Sequence, residues 1–462
     1  MKSAQRVSFF PSTCNLQSNR RILTFFSHIF LESYAACKLE LDETIGKKRC
    51  EFNVANRKRR NIERGMSDRN YPVTKWRPKG TLIAHLHEHK GGISKLVRIP
   101  DQPIFASAGS DGCVRLWDCS KFDGPHVAKA HKMFTNHGTS PVNSLAVSAD
   151  GQFMVSGAEN GSISAFKCDS KSELFNKKVN VDDIGPPVEF CFRETGSSPL
   201  IVYATAFGNI VGIDLRSKNE AFKLENDLLE GLQTSMAMSP DQTWLVNGTS
   251  SGVLTCWDLR FQLPIVKCTH PAESRIRQLT IPGSGEVLAS VQGNNEVGLW
   301  NMESQFRQLV LWASSSPLLS VNQSNSQSVT AMQSIHNHDM NVLLTAGTDM
   351  RVRFWDLQNP DQSYIICGAS SEKINPNHVS YKTKLVDGTE VVQEVHAKPK
   401  TNQGQTSNFA TNDHEFNGNK PGLEGPTIGH IDWISSLTLC LSQPNRWYVV
   451  TGAKDGVIKV WK

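Results

Sequence analysis

The chain has 462 residues, of which 20% are charged and 39% are hydrophobic, and its formal net charge is +5. This is the composition of a folded globular protein, which excludes wholesale disorder. Residues 1–80 carry 17 Lys and Arg against 7 Asp and Glu, whereas the remainder carries 32 basic and 37 acidic residues. The mildly acidic body therefore argues against nucleic acid as a partner. No run of 18 apolar residues occurs, so no membrane-spanning helix is predicted.

Residues 1–74 are predicted to form a basic, disordered extension. Its clusters at 47–49 and 57–60 favour a solvated linker, with a nuclear-localisation signal or an acidic-lipid patch as the alternative. The apolar stretch 22–31 is not followed by a clear small-residue cleavage pattern, which disfavours secretion. The 11 cysteines are odd in number and form no CxxC pair, which predicts reduced thiols in the cytoplasm rather than a disulfide framework or a zinc site.

One sequence pattern recurs along the chain after residue 80. Each copy has a short hydrophobic run, a turn rich in Gly, Asp and Asn, and an alternating apolar run that ends on an aromatic or apolar residue. The copies end at positions 117, 166, 213, 257, 300, 355 and 461. The intervals between the first five ends are 43 to 49 residues, near the blade period of about 40–45 residues in WD repeats.

This pattern predicts an all-β fold, a seven-bladed WD-repeat β-propeller over residues 75–462. A four-stranded blade cannot bury both faces alone, but a ring of blades buries each sheet against its neighbours. The last copy supplies only three strands. We therefore expect Thr81–Leu86 to pair with Val457–Trp461, which completes the last blade and closes the ring.

The longest interval, between the sixth and seventh copies, predicts an insertion at about 369–428 rather than an eighth blade. Residues 363–368 fit the outer strand of blade six. Residues 379–396 read as a hairpin around Asp387-Gly388, a dipeptide suited to a tight turn. Residues 397–428 are rich in Asn, Gly, Lys, Pro and Thr and predict a flexible loop.

A polar set recurs within the copies, with a hydroxyl, an Asp and a Trp at relative positions 0, +4 and +10 and, in two copies, a His upstream. Its members are His89, Ser107, Asp111 and Trp117; Thr345, Asp349 and Trp355; and His430, Thr451, Asp455 and Trp461. Buried side chains of these types can satisfy one another's hydrogen bonds. A catalytic interpretation is disfavoured because the set recurs at equivalent positions, so no catalytic, cofactor-binding or metal-ligating residue is predicted.

Several sequence segments outside the repeat pattern point to one family. They are Trp76–Gly80 with Leu82–His89, Cys256–Ile265, Val291–Val297, Leu311–Ser315 and Asp387–Glu394. These segments resemble the C-terminal propeller of the kinase-like vacuolar-protein-sorting subunit that regulates class III phosphatidylinositol 3-kinase. The resemblance covers about residues 75–462.

The resemblance implies a non-catalytic scaffold that docks coiled-coil subunits for autophagy and for endosomal or vacuolar sorting. The implied partners are the lipid-kinase catalytic subunit, Beclin-type coiled-coil subunits and small Rab-type GTPases, with no nucleic acid. The implied location is cytoplasmic and peripheral on endosomal and autophagic membranes, through the complex. No cofactor is implied.

The chain departs from that family in its kinase features. It contains no Gly-rich phosphate loop, His-Arg-Asp loop or Asp-Phe-Gly motif, and Lys2 stands where the family has its myristoylated Gly. The chain is therefore interpreted as a non-enzyme and as a fragment, a truncated gene model or a short isoform. The alternatives are a generic WD-repeat adaptor, such as a substrate receptor of a ubiquitin ligase, and a protein kinase as the family name suggests.

Two segments are candidate partner contacts. Phe261 and Leu263 follow a Trp-Asp-Leu-Arg ending and lead into an outer strand, where Pro264 suits an edge. Gln292, Asn294, Asn295 and Glu296 surround a turn in the fifth copy. For this turn a partner-reading loop and a purely structural turn remain open, because Asn also tolerates left-handed backbone geometry.

Overall fold

The computed structural model describes residues 43–49, 51, 72, 76–122, 128–170, 172–195, 198–283, 285–293, 295–313, 327–337, 340–368, 379–396, 429–443 and 446–462. The chain divides into two compact units, Met1–Phe52 and Asn53–Lys462. In the first unit, residues 43–49 and 51 form helix α1, where Lys48 pairs with Glu51 at 3.2 Å. The rest of the predicted extension, apart from residue 72, and the predicted loop 397–428 lie outside the described residues.

The second unit contains seven antiparallel blades, which confirms the predicted propeller. Blades one to three consist of β2 (Ile93–Arg98), β3 (Ile104–Gly109), β4 (Val114–Asp118) and β5 (Lys132–Phe134); β6 (Val142–Val147), β7 (Phe153–Ala158), β8 (Ser162–Lys167) and β9 (Glu173–Lys178); and β10 (Pro187–Thr195), β11 (Ser198–Thr205), β12 (Asn209–Asp214) and β13 (Glu220–Glu225). A one-turn helix α2 (Val181–Ile184) lies between blades two and three.

The remaining blades follow the same order from the inner to the outer strand. They are β14 (Gln233–Met238), β15 (Trp244–Thr249), β16 (Val253–Asp258) and β17 (Leu263–Thr269); β18 (Ile276–Gly283), β19 (Glu286–Val291), β20 (Glu296–Asn301) and β21 (Phe306–Trp312); β22 (Val329–Asn337), β23 (Met340–Gly347), β24 (Val352–Asp356) and β25 (Tyr364–Cys367); and β28 (Ile434–Gln443), β29 (Arg446–Ala453), β30 (Ile458–Trp461) and β1 (Leu82–Leu86). Strand β25 lies within the predicted outer strand of blade six.

The ring closes as predicted, because β1 is the outer strand of blade seven. Leu82 pairs with Trp461 and Leu86 with Ile458 in an antiparallel ladder. Beyond the ladder, the Lys462 N–H donates to the Thr81 carbonyl at 2.9 Å. The first and last strands of the propeller therefore share one sheet, which leaves no open gap between blades seven and one.

Tight turns set the geometry of each blade. Gly112 follows Asp111 in the turn before β4 and has a φ of 75°, a left-handed conformation that favours glycine. A Cβ atom at this position would also collide with the carbonyl oxygen of Gly138, in the segment that leads to the next blade. The Asp-Gly dipeptide is therefore required both by the turn and by the close approach of the neighbouring chain.

The hydrophobic core lies between adjacent blades. Phe105 and Trp117 of blade one pack with Tyr448, Val450 and Val460 of blade seven in one buried cluster. Four tryptophans are fully buried, at positions 117, 244, 355 and 461. Because each sheet has a neighbour on both sides, its two faces can both be apolar, and each buried Trp contributes about 3 kcal/mol or more to stability.

Blade five is larger than the others. The predicted hairpin exists as β26 (Val379–Val386) and β27 (Thr389–His396), turning at Asp387 and Gly388. Strand β27 pairs in parallel with β21, so blade five becomes a six-stranded sheet. The sequence does not predict this docking, because a parallel pairing between distant segments leaves no local periodicity or turn signature.

Cys119 and Cys440 form a disulfide between the end of β4 and β28, so the expectation of wholly reduced thiols is wrong for this pair. The two residues are 321 positions apart, and ring closure brings their Cα atoms to 6.8 Å. Sequence spacing cannot detect a pair that only tertiary structure creates. Within the described ranges, no helix has both the length and the apolar character to cross a bilayer.

Candidate partner-binding surfaces

The predicted polar set of blade one is assembled around the Ser107 hydroxyl. Trp117 Nε1 donates to Ser107 Oγ at 2.8 Å, and His89 Nε2 lies 2.7 Å from the same oxygen. On its other side, His89 Nδ1 lies 3.0 Å from Asp111 Oδ1. Burial opposes ionisation of Asp111, but hydrogen bonds from His89 and Arg115 lower the pKa of its carboxyl. These groups satisfy one another and connect the turn to β3 and β4.

Blades six and seven repeat this arrangement in part. In blade seven, His430 Nε2 and Trp461 Nε1 lie 2.8 and 2.9 Å from Thr451 Oγ1, and His430 Nδ1 lies 3.4 Å from Asp455. In blade six, Trp355 Nε1 donates to Thr345 Oγ1 at 2.9 Å. Asp349 of that blade pairs with Arg353 at 2.6 Å instead of with a histidine.

Blade two contains a member of the set that the sequence analysis missed. His137 Nε2 lies 2.7 Å from Ser156 Oγ and its Nδ1 lies 2.6 Å from Ser162 Oγ. Burial lowers the pKa of His137 to about 4, so its ring is neutral at pH 7. The spacing could have revealed it. His137 precedes Phe166 by 29 residues, which lies between the His-to-Trp separations of 28 residues in blade one and 31 in blade seven. Because Phe166 stands where other copies have Trp, the copy did not match the pattern of hydroxyl, Asp and Trp.

In blade five the histidine pairs with a carboxylate, while the equivalent hydroxyl, that of Ser290, bonds to the backbone of Gln278. His270 Nε2 lies 3.2 Å from Glu296 Oε1, and Arg307 donates to the same oxygen at 2.5 Å. Trp312 Nε1 approaches the second carboxylate oxygen at 3.4 Å. Burial disfavours the ionised form of Glu296, but the neighbouring His270 and Arg307 lower the pKa of its carboxyl. Glu296 is therefore an internal ion-pair partner.

The geometry at Asn295 and Glu296 favours the structural alternative for this turn, and contact of these residues with a partner stays a prediction. Both residues are buried, and Asn295 adopts a φ of 49° in the turn. Its Nδ2 lies 3.5 Å from Asp349 Oδ2, so it connects blade five to blade six. Gln292 is half-buried and its N–H donates to the Arg275 carbonyl at 2.8 Å. Asn294 lies outside the described residues.

The other predicted segment reaches the surface. Phe261 and Leu263 are half-buried at the turn between β16 and β17, and the Arg260 guanidinium lies 5.2 Å from the centre of the Phe261 ring. Strand β17, with Pro264, is the outer strand of blade four. These two side chains remain candidate contacts.

A buried ion-pair cluster anchors the inserted hairpin. Glu394 of β27 is 0% exposed and Arg353 of β24 is 1% exposed, and Arg353 Nε donates to Glu394 Oε2 at 2.6 Å. Arg353 also donates to the Ala313 carbonyl at 3.0 Å, and Tyr381 OH donates to Glu394 at 3.3 Å. The hairpin is therefore attached to blade five by strand pairing and to blade six by charge.

The electrostatics of this anchor favour the ionised state of both partners. Burial disfavours each charge, but Arg353 and His396 hold the pKa of Glu394 well below its usual range. Asp349 and Glu394 together raise the pKa of Arg353. A buried pair with this many hydrogen bonds is costly to break, since removal of one partner leaves the other charge buried. The sequence analysis did not predict this pair, because Arg353 and Glu394 lie 41 residues apart.

Exposed apolar side chains collect at one end of the enlarged blade. Phe306 begins β21, and Leu385 and Val386 end β26; they are 46%, 73% and 50% exposed. The parallel register of β21 and β27 places the hairpin turn beside the start of β21, where Thr389 Oγ1 donates to the Arg307 carbonyl at 3.2 Å. We call Phe306, Leu385 and Val386 the blade-five edge. The turn with Phe261 and Leu263 lies at the same end of blade four.

The described residues hold no group of three or more side chains able to bind a metal ion. In that part of the chain, the recurring His, Asp and hydroxyl groups are bonded to one another inside blades.

Comparison with known proteins agrees with this architecture. The family model described as "WD domain, G-beta repeat" matches residues 80–118, 129–166, 316–356 and 425–462. The chain is 27% identical over 87% of its length to the serine/threonine-protein kinase VPS15 of Arabidopsis thaliana, and 33% identical over 42% of its length to a probable serine/threonine-protein kinase vps15 of Dictyostelium discoideum. A WD repeat-containing protein 55 homolog of Drosophila mojavensis is 28% identical over 46% of the chain.

The chain spans 30% of the Arabidopsis relative and 10% of the Dictyostelium one. The shared region is the WD-repeat region, whereas "kinase" in the relatives' names describes the longer proteins. The described part of this chain is a propeller without a kinase domain. The chain therefore forms a propeller that contains WD repeats and is similar to the WD-repeat region of VPS15 proteins.

Proposed function

We propose that this chain is a non-catalytic scaffold of a class III phosphatidylinositol 3-kinase complex, and that it docks coiled-coil subunits for autophagy and endosomal or vacuolar sorting. The observation that carries the proposal is the blade-five edge, an exposed apolar edge built by an insertion that the ring itself does not need. Coiled-coil subunits present an apolar seam along one helix face. Such a seam can cover exposed side chains of this edge, such as Leu385, which is 73% exposed.

Two further features support a docking role. The hairpin is rigidly held by the Arg353–Glu394 pair and by strand pairing, so its exposed tip is pre-organised for binding. Phe261 and Leu263 continue the apolar surface at the same end of blade four. The lipid-kinase catalytic subunit and Rab-type GTPases are the further partners of the proposal. Its cellular location is the cytoplasmic side of endosomal and autophagic membranes, reached through the complex.

Affinity purification with the full chain as bait tests the proposal. We expect the wild-type chain to recover the lipid-kinase catalytic subunit and a Beclin-type subunit, and Leu385→Asp with Phe306→Asp to lose the coiled-coil subunit. Met133→Asp is the matched control, because Met133 is as exposed as Phe306 but lies on the outer strand of blade one. Recovery of ubiquitin-ligase subunits instead, or phosphate transfer from ATP by the purified chain, would contradict the proposal.

A further inference from the structure

The seven inner strands place equivalent residues around the propeller axis. The second residue of each inner strand lines one axial cavity of about 510 Å³. In blade order these residues are Ser94, Asn143, Val188, Thr234, Arg277, Thr330 and Ser435. Six are short and uncharged, and the residue of blade five is an arginine.

The hydroxyls in this ring join neighbouring blades. Ser435 Oγ donates to the Gly452 carbonyl of its own blade at 3.1 Å and also contacts the Ile93 carbonyl of blade one. Ser94 contacts the Ala108 and Val142 carbonyls, and Thr330 the Ala346 and Ile434 carbonyls, in the same way. In blades one, six and seven, the second residue of the inner strand therefore has a structural role.

In blade five, Arg277 stands where blades one, six and seven have a bridging hydroxyl. Its Nε is buried and has no hydrogen-bond partner among the described residues. Arg275 lies two positions earlier, just before the strand begins, and it lines the same cavity together with Lys454. Carboxylates such as that of Asp432 lie on nearby loops, but no Asp or Glu is present among the described lining residues.

The two arginines repel each other in this arrangement. Burial and the neighbouring charge of Arg275 both lower the pKa of Arg277. Two adjacent guanidinium groups without a carboxylate form a site for an anion, because guanidinium binds carboxylate or phosphate through paired hydrogen bonds.

The same cavity has apolar walls at its mouth. Leu232 and Trp433 line it and are 48% and 51% exposed. Leu229 and Ile431 stand in the same two loops and are still more exposed. A small inorganic anion would leave these side chains in water, whereas a peptide that carries both carboxylates and apolar side chains would cover them.

We propose that the axial cavity binds an acidic peptide segment of a partner protein, with Arg275 and Arg277 holding its carboxylates and with Leu232 and Trp433 covering an apolar side chain. The cavity opens where the inner strands begin, and the blade-five edge lies where they end. The two surfaces are independent, so loss of peptide binding leaves coiled-coil recovery intact, and the reverse also holds.

Fluorescence anisotropy with the full chain tests this proposal. The probe is a labelled dodecapeptide of alternating Glu and Leu, and the comparison peptides replace Glu with Gln or with Lys. We expect Arg277→Thr to weaken binding at least tenfold, the effect of losing one charge-assisted pair. Thr occupies the equivalent position in blades four and six, so this variant should fold. Arg216→Gln is the matched control, because Arg216 is exposed at the opposite end of blade three.

The outcomes are separable. Binding of the Glu peptide that falls in Arg277→Thr and is unchanged in Arg216→Gln supports the site. Equal binding of the Gln or Lys peptide, or full binding by a folded Arg277→Thr chain, overturns it. Arg277-dependent binding of phosphatidylserine vesicles without binding of the peptide also overturns the assignment to a peptide.

Discussion

Blade one and blade five use the same repeat for different purposes. In blade one, the Ser107 hydroxyl bonds both His89 and Trp117, and the blade ends at its fourth strand. In blade five, the equivalent histidine bonds Glu296, Trp300 Nε1 is buried without a hydrogen-bond partner among the described residues, and two further strands are added. Where the repeat is regular, its polar groups satisfy one another, and where blade five departs from the pattern, it exposes Phe306, Leu385 and Val386.

The largest expected effect comes from the hairpin anchor. Glu394→Ala removes the carboxylate that faces Arg353, which leaves the Arg353 charge buried and less well paired. We expect the free energy of unfolding to fall by about 3–4 kcal/mol and the hairpin to become sensitive to protease. Chemical denaturation and limited proteolysis measure these effects. Glu390→Ala, at an exposed position of the same strand, should be nearly neutral; equal losses from both variants would refute the anchor.

A smaller effect is expected from the regular set of blade one. Ser107→Ala removes the oxygen shared by His89 and Trp117, so two buried groups lose a partner. We expect a loss of about 2 kcal/mol in the free energy of unfolding. Ser164→Ala is the control, because the buried Ser164 hydroxyl has no hydrogen-bond partner among the described residues. If Ser164→Ala destabilises the chain as much as Ser107→Ala, the shared oxygen has no special role.

For the first unit of pH below 6.5, the smallest effect is a pH dependence in blade two, of about 1 kcal/mol. The folded pKa of His137 is about 4, below its ordinary value of 6.5, so the unfolded chain takes up the proton first. Stability should be complete above pH 6.5 and fall by about 1 kcal/mol per unit as the pH drops from 6.5 toward 4. His137→Asn should remove this slope in denaturation midpoints, whereas His131→Asn, at an exposed position, should retain it. An unchanged slope in His137→Asn would show that other groups produce it.

The sequence predicted the features that have a signature along the chain. Ring closure followed from a three-stranded last copy and a free strand around Ile83. The Trp117 and Trp461 sets followed from fixed spacing. His137 was missed because Phe166 removed the indole that would have marked its set.

Features formed across the ring had no local signature. Arg353 and Glu394 belong to different blades, and Cys119 meets Cys440 only after closure. Arg277 stands out only when the seven inner strands are aligned around the axis. Glu296 resembled a surface residue because its neighbours are turn residues, yet His270 and Arg307 enclose it. Pairings of this kind depend on tertiary distance, which spacing along the chain does not encode.

Hydrogen exchange of the full chain, alone and with its co-purified partners, tests most directly whether binding concentrates where the repeat departs from its pattern. We predict that partners slow exchange in Phe306–Trp312 and in the hairpin Val379–His396, while β3 and β4 of blade one exchange as in the free chain. Slowed exchange confined to blades one to three, with the hairpin unchanged, would contradict the account.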